Sequence, residues 1–381
     1  MRTTHLKTAI LSLLILLTAG CGSTPAPRIP PIAACTPASK PAFAYVLSDG
    51  ANTISMFTVD SCTGGLRPTT PPTVPTGANN FGSEEMVVDP AGRFAYVANL
   101  GSNASDLSTI SMFTIDSSTG VLTPTTPATV PTGWFPQGIA IDPSGKFVYT
   151  ANSDDNTVSM FTISASTGVL TPTTPPTVAA GWSPLSVTVD PSGRFAYAAN
   201  QIDNTVSMYT INSGTGVLTP MTPATVPTGG SPFGVTVDPS GKFAYVPNAY
   251  GNNDVSEYTV DSANGVLTPT AAVSARAGNS PTSVAVDPSG KFAYVVNRQD
   301  NTVSEYTISA STGDLTPLDV IGTGPSPFRV VVDPSGKFVY VANEGGSVSA
   351  YLLASGGTLT PAPTTTTEGT PVSITVTGSK Q

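Results

Sequence analysis

Apolar and polar residues alternate along this chain in runs of four to seven, each closed by a cluster of Asp, Pro, Ser, Thr, Asn or Gly. Period-two alternation between turn residues is the signature of a half-buried strand. Residues 283–286, 292–296, 302–308 and 315–318 show it in succession, with Asp287-Pro288-Ser289-Gly290 between the first two runs. That turn has a mechanism: Asp accepts local backbone hydrogen bonds, Pro presets φ, and Gly supplies a positive φ. The same unit recurs with its aromatic at Phe43, Phe94, Phe147, Phe195, Phe243, Phe292 and Phe338, a spacing of 46 to 53 residues. Repeats of this period made of short strands predict an all-β fold, a seven-bladed β-propeller of four-stranded blades, strands a to d.

Proline cannot donate to a sheet ladder, so the Thr/Pro runs that follow strand d, such as 171–175, are expected to mark the outer edge of each blade. The first copy opens at Pro41-Ala42-Phe43, already in strand b, whereas residues 371–376 form a strand a with no blade after them. The C-terminal strand is therefore expected to join the N-terminal blade and close the ring, leaving no free edge.

Residues 1–20 lie outside the ring and read as a targeting signal. Arg2 and Lys7 precede an apolar run, 9–17, too short to span a bilayer, and the segment ends in Leu17-Thr18-Ala19-Gly20-Cys21. This approach resembles the lipobox of bacterial lipoproteins, which implies cleavage before Cys21 and acylation of its thiol; ordinary secretion is the alternative. Residues 21–40 follow as a Pro/Ala/Ser-rich tether, and 41–381 make the propeller. The expected location is the cell envelope, with the membrane reached by the lipid anchor alone. Cys35 and Cys62 remain, and two cysteines in an exported chain point to a disulfide from tether to first blade, against the alternative of two free thiols.

Removing the signal leaves 24 acidic against 13 basic residues, a net charge of about −11, which argues against nucleic acid. A monomer is expected. The only histidine, His5, is inside the signal, so the mature chain has no imidazole for a catalytic triad, a zinc site or a haem ligand. No phosphate-cradling Gly-rich loop precedes a helix. No cofactor and no metal-ligating residue set is expected, and any catalysis must run on carboxylates, Arg, Tyr or a calcium ion.

In a propeller, the d–a and b–c loops form the face that ligands meet, so departures from the repeat there are informative. The loop into blade 2, 78–85, and its b–c loop, 100–108, are both lengthened, which brings Glu84, Glu85 and Asp106 to one rim. Arg298 and Glu344 follow strand b of blades 6 and 7, while Arg329 enters strand a of blade 7 at the position Glu85 holds in blade 2. Two readings stand: a polar pocket of Glu85, Arg329 and Glu344 for an anionic or hydroxylated ligand, or an ion-pair network that plugs the channel. Trp134 and Trp182, each after a d–a loop glycine, would either stack sugars or peptides or pack over the neighbouring loop. The asparagines that end strand b, Asn343 among them, fit turn chemistry or ligand contact.

The Asp-Pro-Ser-Gly-Lys-Phe-Ala-Tyr-Val-x-Asn unit resembles that of the seven-bladed lactonase family, which includes propeller-type 6-phosphogluconolactonases, and of the Tyr-Val-Thr-Asn surface repeat proteins. In the enzyme members, a Gly-Pro-Arg-His segment before a strand a is answered by Asn-Glu after strand b. Here Pro327-Phe328-Arg329 and Asn343-Glu344 fall in those places, so the Glu is kept and Arg329 stands for the histidine. The resemblance implies the propeller fold. The leading expectation is an envelope lipoprotein that binds a glycan, a small molecule or a protein on its top face. The alternatives are a lactone hydrolase with Glu344 or Glu85 as base and Arg329 as oxyanion partner, and a surface scaffold.

Overall fold

A computed structural model describes residues 40–77, 82–101, 108–270 and 274–377. Among them every regular element is a strand, and the strands form seven antiparallel sheets arranged as the blades of a propeller. Blade 2 is typical: strand a Ser83–Val88, b Phe94–Asn99, c Thr109–Ile115 and d Leu122–Pro131 pair in that order outward. Blade 1 takes its strand a from the other end of the chain, Thr370–Val376 beside b Ala42–Asp49. There Val46 faces Ile374, the Phe43 N–H donates to Thr377 Oγ1 at 2.9 Å, and the Thr377 N–H returns to the Phe43 carbonyl. The ring closes as the unpaired ends of the sequence require.

Strand b is the buried heart of each blade. In blades 2, 3, 4, 5 and 7 it is buried along its full length, and seven apolar clusters form the core, each drawn from neighbouring blades. Its Phe-x-Tyr explains the repeat. Tyr96, from blade 2, donates its hydroxyl to the Gly168 carbonyl in the c–d turn of blade 3, and the Phe94 ring packs over the same glycine. The same pair recurs at every junction, ending with Tyr340 on Gly64, at 2.7 to 2.9 Å throughout. A Cβ on Gly168 would lie 2.4 Å from the Phe94 ring, and its φ of +73° is one that L side chains avoid. Ser-Thr-Gly-Val-Leu is thus kept in the sequence because the preceding blade grips it.

The Asp-Pro-Ser-Gly turns lie at the opposite end from the loops that carry sequence variation. In blade 3, Asp142 Oδ1 accepts the N–H groups of Lys146 and Phe147, while Oδ2 accepts Ser144, so a buried carboxylate is fully engaged by its own turn.

Two features depart from the sequence reading. Strand d does not stop before the prolines: in blade 1 it runs Leu66–Pro75, and a register shift opposite Met56 places Phe57 against Pro68 and Ser55 against Thr73. The bulge lets the strand carry prolines and still pair, while its far side faces solvent. In blade 5, strand a shrinks to Thr236–Val237, because Pro247 in strand b has no N–H for the ladder there.

A second junction device runs beside the Tyr–Gly pair. Met56, Met112, Met160 and Met208 of strand c each present a sulfur to the buried N–H of a leucine in the next blade. Glu257 and Glu305 take this place in blades 5 and 6 and accept from Leu315 and Leu359 at 3.3 Å. Both are buried, at 5% and 1% exposure. Burial lifts each carboxyl to about 7, against the backbone N–H bonds that favour the ion; Asp314 adds to the rise at Glu257 and Asp319 at Glu305. Tyr245 and Tyr306 sense the charge of Glu257, and Tyr294 and Tyr351 that of Glu305.

Two tests follow from the ring. Deleting residues 371–381 strips strand a from blade 1 and exposes the edge of Val46 and Leu47; we expect melting to fall by about 10 °C or more with concentration-dependent association, read by calorimetry and light scattering. The two glutamates have folded pKa values above the unfolded one, so their stability is complete below about pH 4.5 and is lost as pH rises through about 7. Glu257→Met and Glu305→Met should each gain on the order of 2 to 3 kcal/mol at pH 8 relative to pH 4.5, measured by denaturant titration at both pH values.

Candidate functional site at the channel mouth

The seven strands a line a central channel, and successive side chains along each strand build successive storeys. At the mouth, Glu84, Gln137, Leu185, Thr282 and Phe328, each the second residue of its strand a, gather with Phe233 of blade 5. Phe233 and Phe328 meet edge to face with centroids 5.8 Å apart and narrow the mouth to room for about one water. Beneath lies a cavity of 350 Å³, walled by small or branched residues such as Ser186, Gly234, Ser283 and Ser373.

The storey below the mouth holds the one channel ion pair among the described residues. Arg329 Nη2 and Glu85 Oε1 are 2.9 Å apart, with side chains 20% and 17% exposed, so the pair crosses over blade 1 from blade 7 to blade 2. Glu85 Oε2 accepts the Ile139 N–H at 3.0 Å, which leaves both oxygens engaged. Burial pushes the Glu85 carboxyl up, and Arg329 and the Ile139 N–H oppose it. The Arg329 Nε, also buried, has no hydrogen-bond partner.

Glu344 does not join that pair. It binds Arg298 instead, through Nε at 3.1 Å and Nη2 at 2.5 Å, and the Arg298 guanidinium lies 5.4 Å over the Phe328 ring. The three-residue pocket of Glu85, Arg329 and Glu344 is therefore two separate pairs, one within the channel and one on the rim. The reason is lateral: Arg298 and Glu344 hold the same loop position in adjacent blades, so each reaches the other first.

Glu84 is the group left over. Among the described residues its carboxylate makes no hydrogen bond or ion pair, yet it is partly buried beside several charges. Burial raises it to about 7, Asp49, Glu344 and Glu85 push in the same direction, and Arg329 pulls against them. Asp49 escaped the sequence reading. It ends strand b of blade 1 at the position that matches Arg298 and Glu344, but Ser48 stands where the other blades have Asn and hides the register.

The remaining candidates fall apart from this cluster. Asn343 is fully buried, its amide bonded to Ser347, Ser349 and Thr323, as are the matching asparagines of other blades to their own Ser and Thr. Trp134 and Trp182 are 46% and 62% exposed on the top rim of blades 3 and 4. Cys62 is disulfide-bonded at the base of blade 1; Cys21, Cys35 and Asp106 lie outside the described residues. Among the described residues, no group of three or more His, Cys, Asp or Glu side chains is placed to hold a metal ion, and no helix is long and apolar enough to cross a membrane.

The chain belongs to the lactonase family of seven-bladed β-propellers, whose family model matches residues 36–187 and 228–380. Among curated proteins nothing matches the sequence. Solved structures share its fold at low identity. A protein from Bacteroides fragilis, described as a candidate 6-phosphogluconolactonase, superposes with a TM-score of 0.74 at 21% identity, over 90% of this chain and 100% of its own. A similarly described protein from Bacteroides uniformis gives 0.73 at 20%, over 89% and 100%. The periplasmic gluconolactonase of Pseudomonas aeruginosa gives 0.71 at 19%, over 88% and 99%.

Arg329→Ala leaves Glu85 buried without its counter-charge. We expect a loss of about 3 kcal/mol at pH 8 and a smaller loss at pH 5, because burial raises the Glu85 carboxyl and falling pH favours its neutral form, as measured by chemical denaturation. An equal loss at both pH values would mean that the arginine acts by packing alone.

Proposed function

We propose that this chain hydrolyses a lactone at the charged sector of the channel mouth, with Glu84 as the base. The observation that carries the reading is a carboxylate with a pKa near 7, without a hydrogen bond among the described residues, at the mouth and within the field of Arg329. A general base is most effective when its pKa lies near the working pH. The sequence reading gave this task to Glu344 or Glu85, but the first is bound by Arg298 and the second by Arg329 and Ile139.

The chemistry balances on these groups. Glu84 takes a proton from water as the water oxygen attacks the lactone carbonyl carbon. The negative charge that develops on the carbonyl oxygen is drawn to Arg329, which lines the mouth with Glu84 and whose charge acts on it. When the tetrahedral species collapses, the ring C–O bond breaks and the departing oxygen takes the proton from Glu84, giving a hydroxy acid. Asp49 and Glu344 keep Glu84 basic enough to act as an acceptor.

Membership of a family named for lactonases supports this reading, as does similarity in fold to a periplasmic gluconolactonase. We further propose that the chain is exported and anchored at Cys21, from its lipobox-like segment. A second reading, ligand binding without turnover, draws on the Phe233–Phe328 contact that narrows the mouth.

The test is hydrolysis of glucono-δ-lactone and other sugar and aliphatic lactones, corrected for spontaneous opening. Turnover should rise with pH through about 7 as Glu84 loses its proton. Glu84→Gln should lower kcat by about 10²- to 10⁴-fold without lowering the melting temperature. Turnover in Glu84→Gln equal to the parent's would remove Glu84 from the reaction, and no turnover of any lactone by the parent would favour the binding reading.

A further inference from the structure

Large apolar side chains are exposed at seven places among the described residues. Four of them, Trp134, Trp182, Ile202 and Tyr250, lie on the top rim of three successive blades, 3 to 5, at 46%, 62%, 59% and 62% exposure. The charged residues of the mouth lie in blades 6, 7, 1 and 2. We propose that the apolar arc is a binding platform for a neutral oligosaccharide.

The rings are presented, not stranded. The Trp134 N–H donates to Asp155 Oδ2 at 2.6 Å and the Trp182 N–H to Asp203 Oδ2 at 2.7 Å, each bond tying the d–a loop to the b–c loop of the same blade. The Ile202 N–H meets the Trp182 carbonyl at 3.3 Å, and the Tyr250 N–H the Gly230 carbonyl at 3.1 Å. A Cβ on Gly133 or Gly181, the residue before each tryptophan, would lie 2.4 to 2.6 Å from the Asn152 or Asn200 amide, so the approach to each indole admits glycine alone. Backbone fixed in this way lets an aromatic ring bind with little loss of freedom.

The repeat does not require tryptophan there. The matching residues are Gly230, Asn279 and Pro325 in blades 5 to 7; the Asn279 N–H donates to Asp300 Oδ2 at 2.7 Å, and the carbonyls of all three accept a b–c loop N–H at 3.1 to 3.2 Å, so these loops close without an indole. An indole retained for packing would be covered, and these are not. Burying so much apolar surface is favourable only when something is laid on it.

The chemistry of the occupant follows from the surroundings. A pyranose offers an apolar C–H face to an indole while its hydroxyls stay at the edge, in water or on acceptors. An open, exposed platform suits it; an acyl chain gains only when enclosed. The d–a and b–c loops of these blades contain no Lys or Arg and include Asp154, Asp155 and Asp203, which repel anionic polymers and can accept sugar hydroxyls. Rings on three successive blades match a chain of several sugar units rather than a monosaccharide.

Trp134 and Trp182 are the only tryptophans in the sequence, so intrinsic fluorescence reports on this surface alone. Cellohexaose, xylohexaose, mannohexaose and chitohexaose are titrated in turn, with a hexameric alginate and an unstructured peptide as contrasts. At least one neutral hexaose should give a saturable emission change, and its disaccharide should bind at least about tenfold more weakly. Trp182→Ala should weaken binding about tenfold, and Trp134→Ala/Trp182→Ala, followed by calorimetry, about a hundredfold, with melting unchanged. The proposal fails if no neutral hexaose alters the emission, if the double variant binds as tightly as the parent, or if alginate or the peptide saturates the signal in preference.

Discussion

The contact on which the rest of the ring depends is a tyrosine hydroxyl meeting a glycine carbonyl across a blade boundary. It satisfies two buried polar groups at once and occurs at all seven junctions, including that between the last blade and the first. The phenylalanine two residues earlier packs on the same glycine, so one short turn receives a ring and a hydrogen bond from its neighbour. Sheets in a propeller meet face to face with few backbone bonds between them. Repeating one side-chain clamp sets both the spacing and the order of the blades, and a turn that must remain glycine leaves little room for drift.

That arrangement divides each blade into a fixed end and a free end. At the base, Asp-Pro-Ser-Gly and Ser-Thr-Gly are held by buried carboxylates and by the clamp. At the top, the ends of strand b are held by asparagine networks that are themselves buried, so the residues just beyond them vary without loss to the fold. The variation is sorted. Charge collects over blades 6, 7, 1 and 2, around Glu84; apolar rings collect over blades 3 to 5. Inside the ring, Met and Glu exchange at the second junction position, because either sulfur or carboxyl can accept the same leucine N–H.

How much of this could be read from the chain depended on whether the feature repeats. Blade number, turn positions and closure follow from periodicity and from two incomplete ends. The opposition of Glu85 and Arg329 was legible because both break the same strand position. The partner of Glu344 was not, because pairing depends on which blades adjoin, and Arg298 is one blade away while Arg329 points inward. Asp49 was concealed by a single substitution, Ser48. The length of strand d was misjudged because a proline run argues against a strand unless a bulge absorbs it, and a bulge has no sequence mark of its own. The raised pKa of Glu84 comes from burial and, beside the adjacent Glu85, from Asp49 and Glu344 at distant sequence positions, which alternation cannot reveal.

Strand b of blade 1 climbs from base to top, so the polypeptide enters the ring at Ala42 on the base, close to Cys62. The path leaves at Thr377, bonded to Phe43 on that same face. Among the described residues, the strands that open and close the ring therefore meet on one face, and Glu84 and the two indoles lie on the other. A molecule that approaches Glu84 or the indoles therefore meets neither end of the ring.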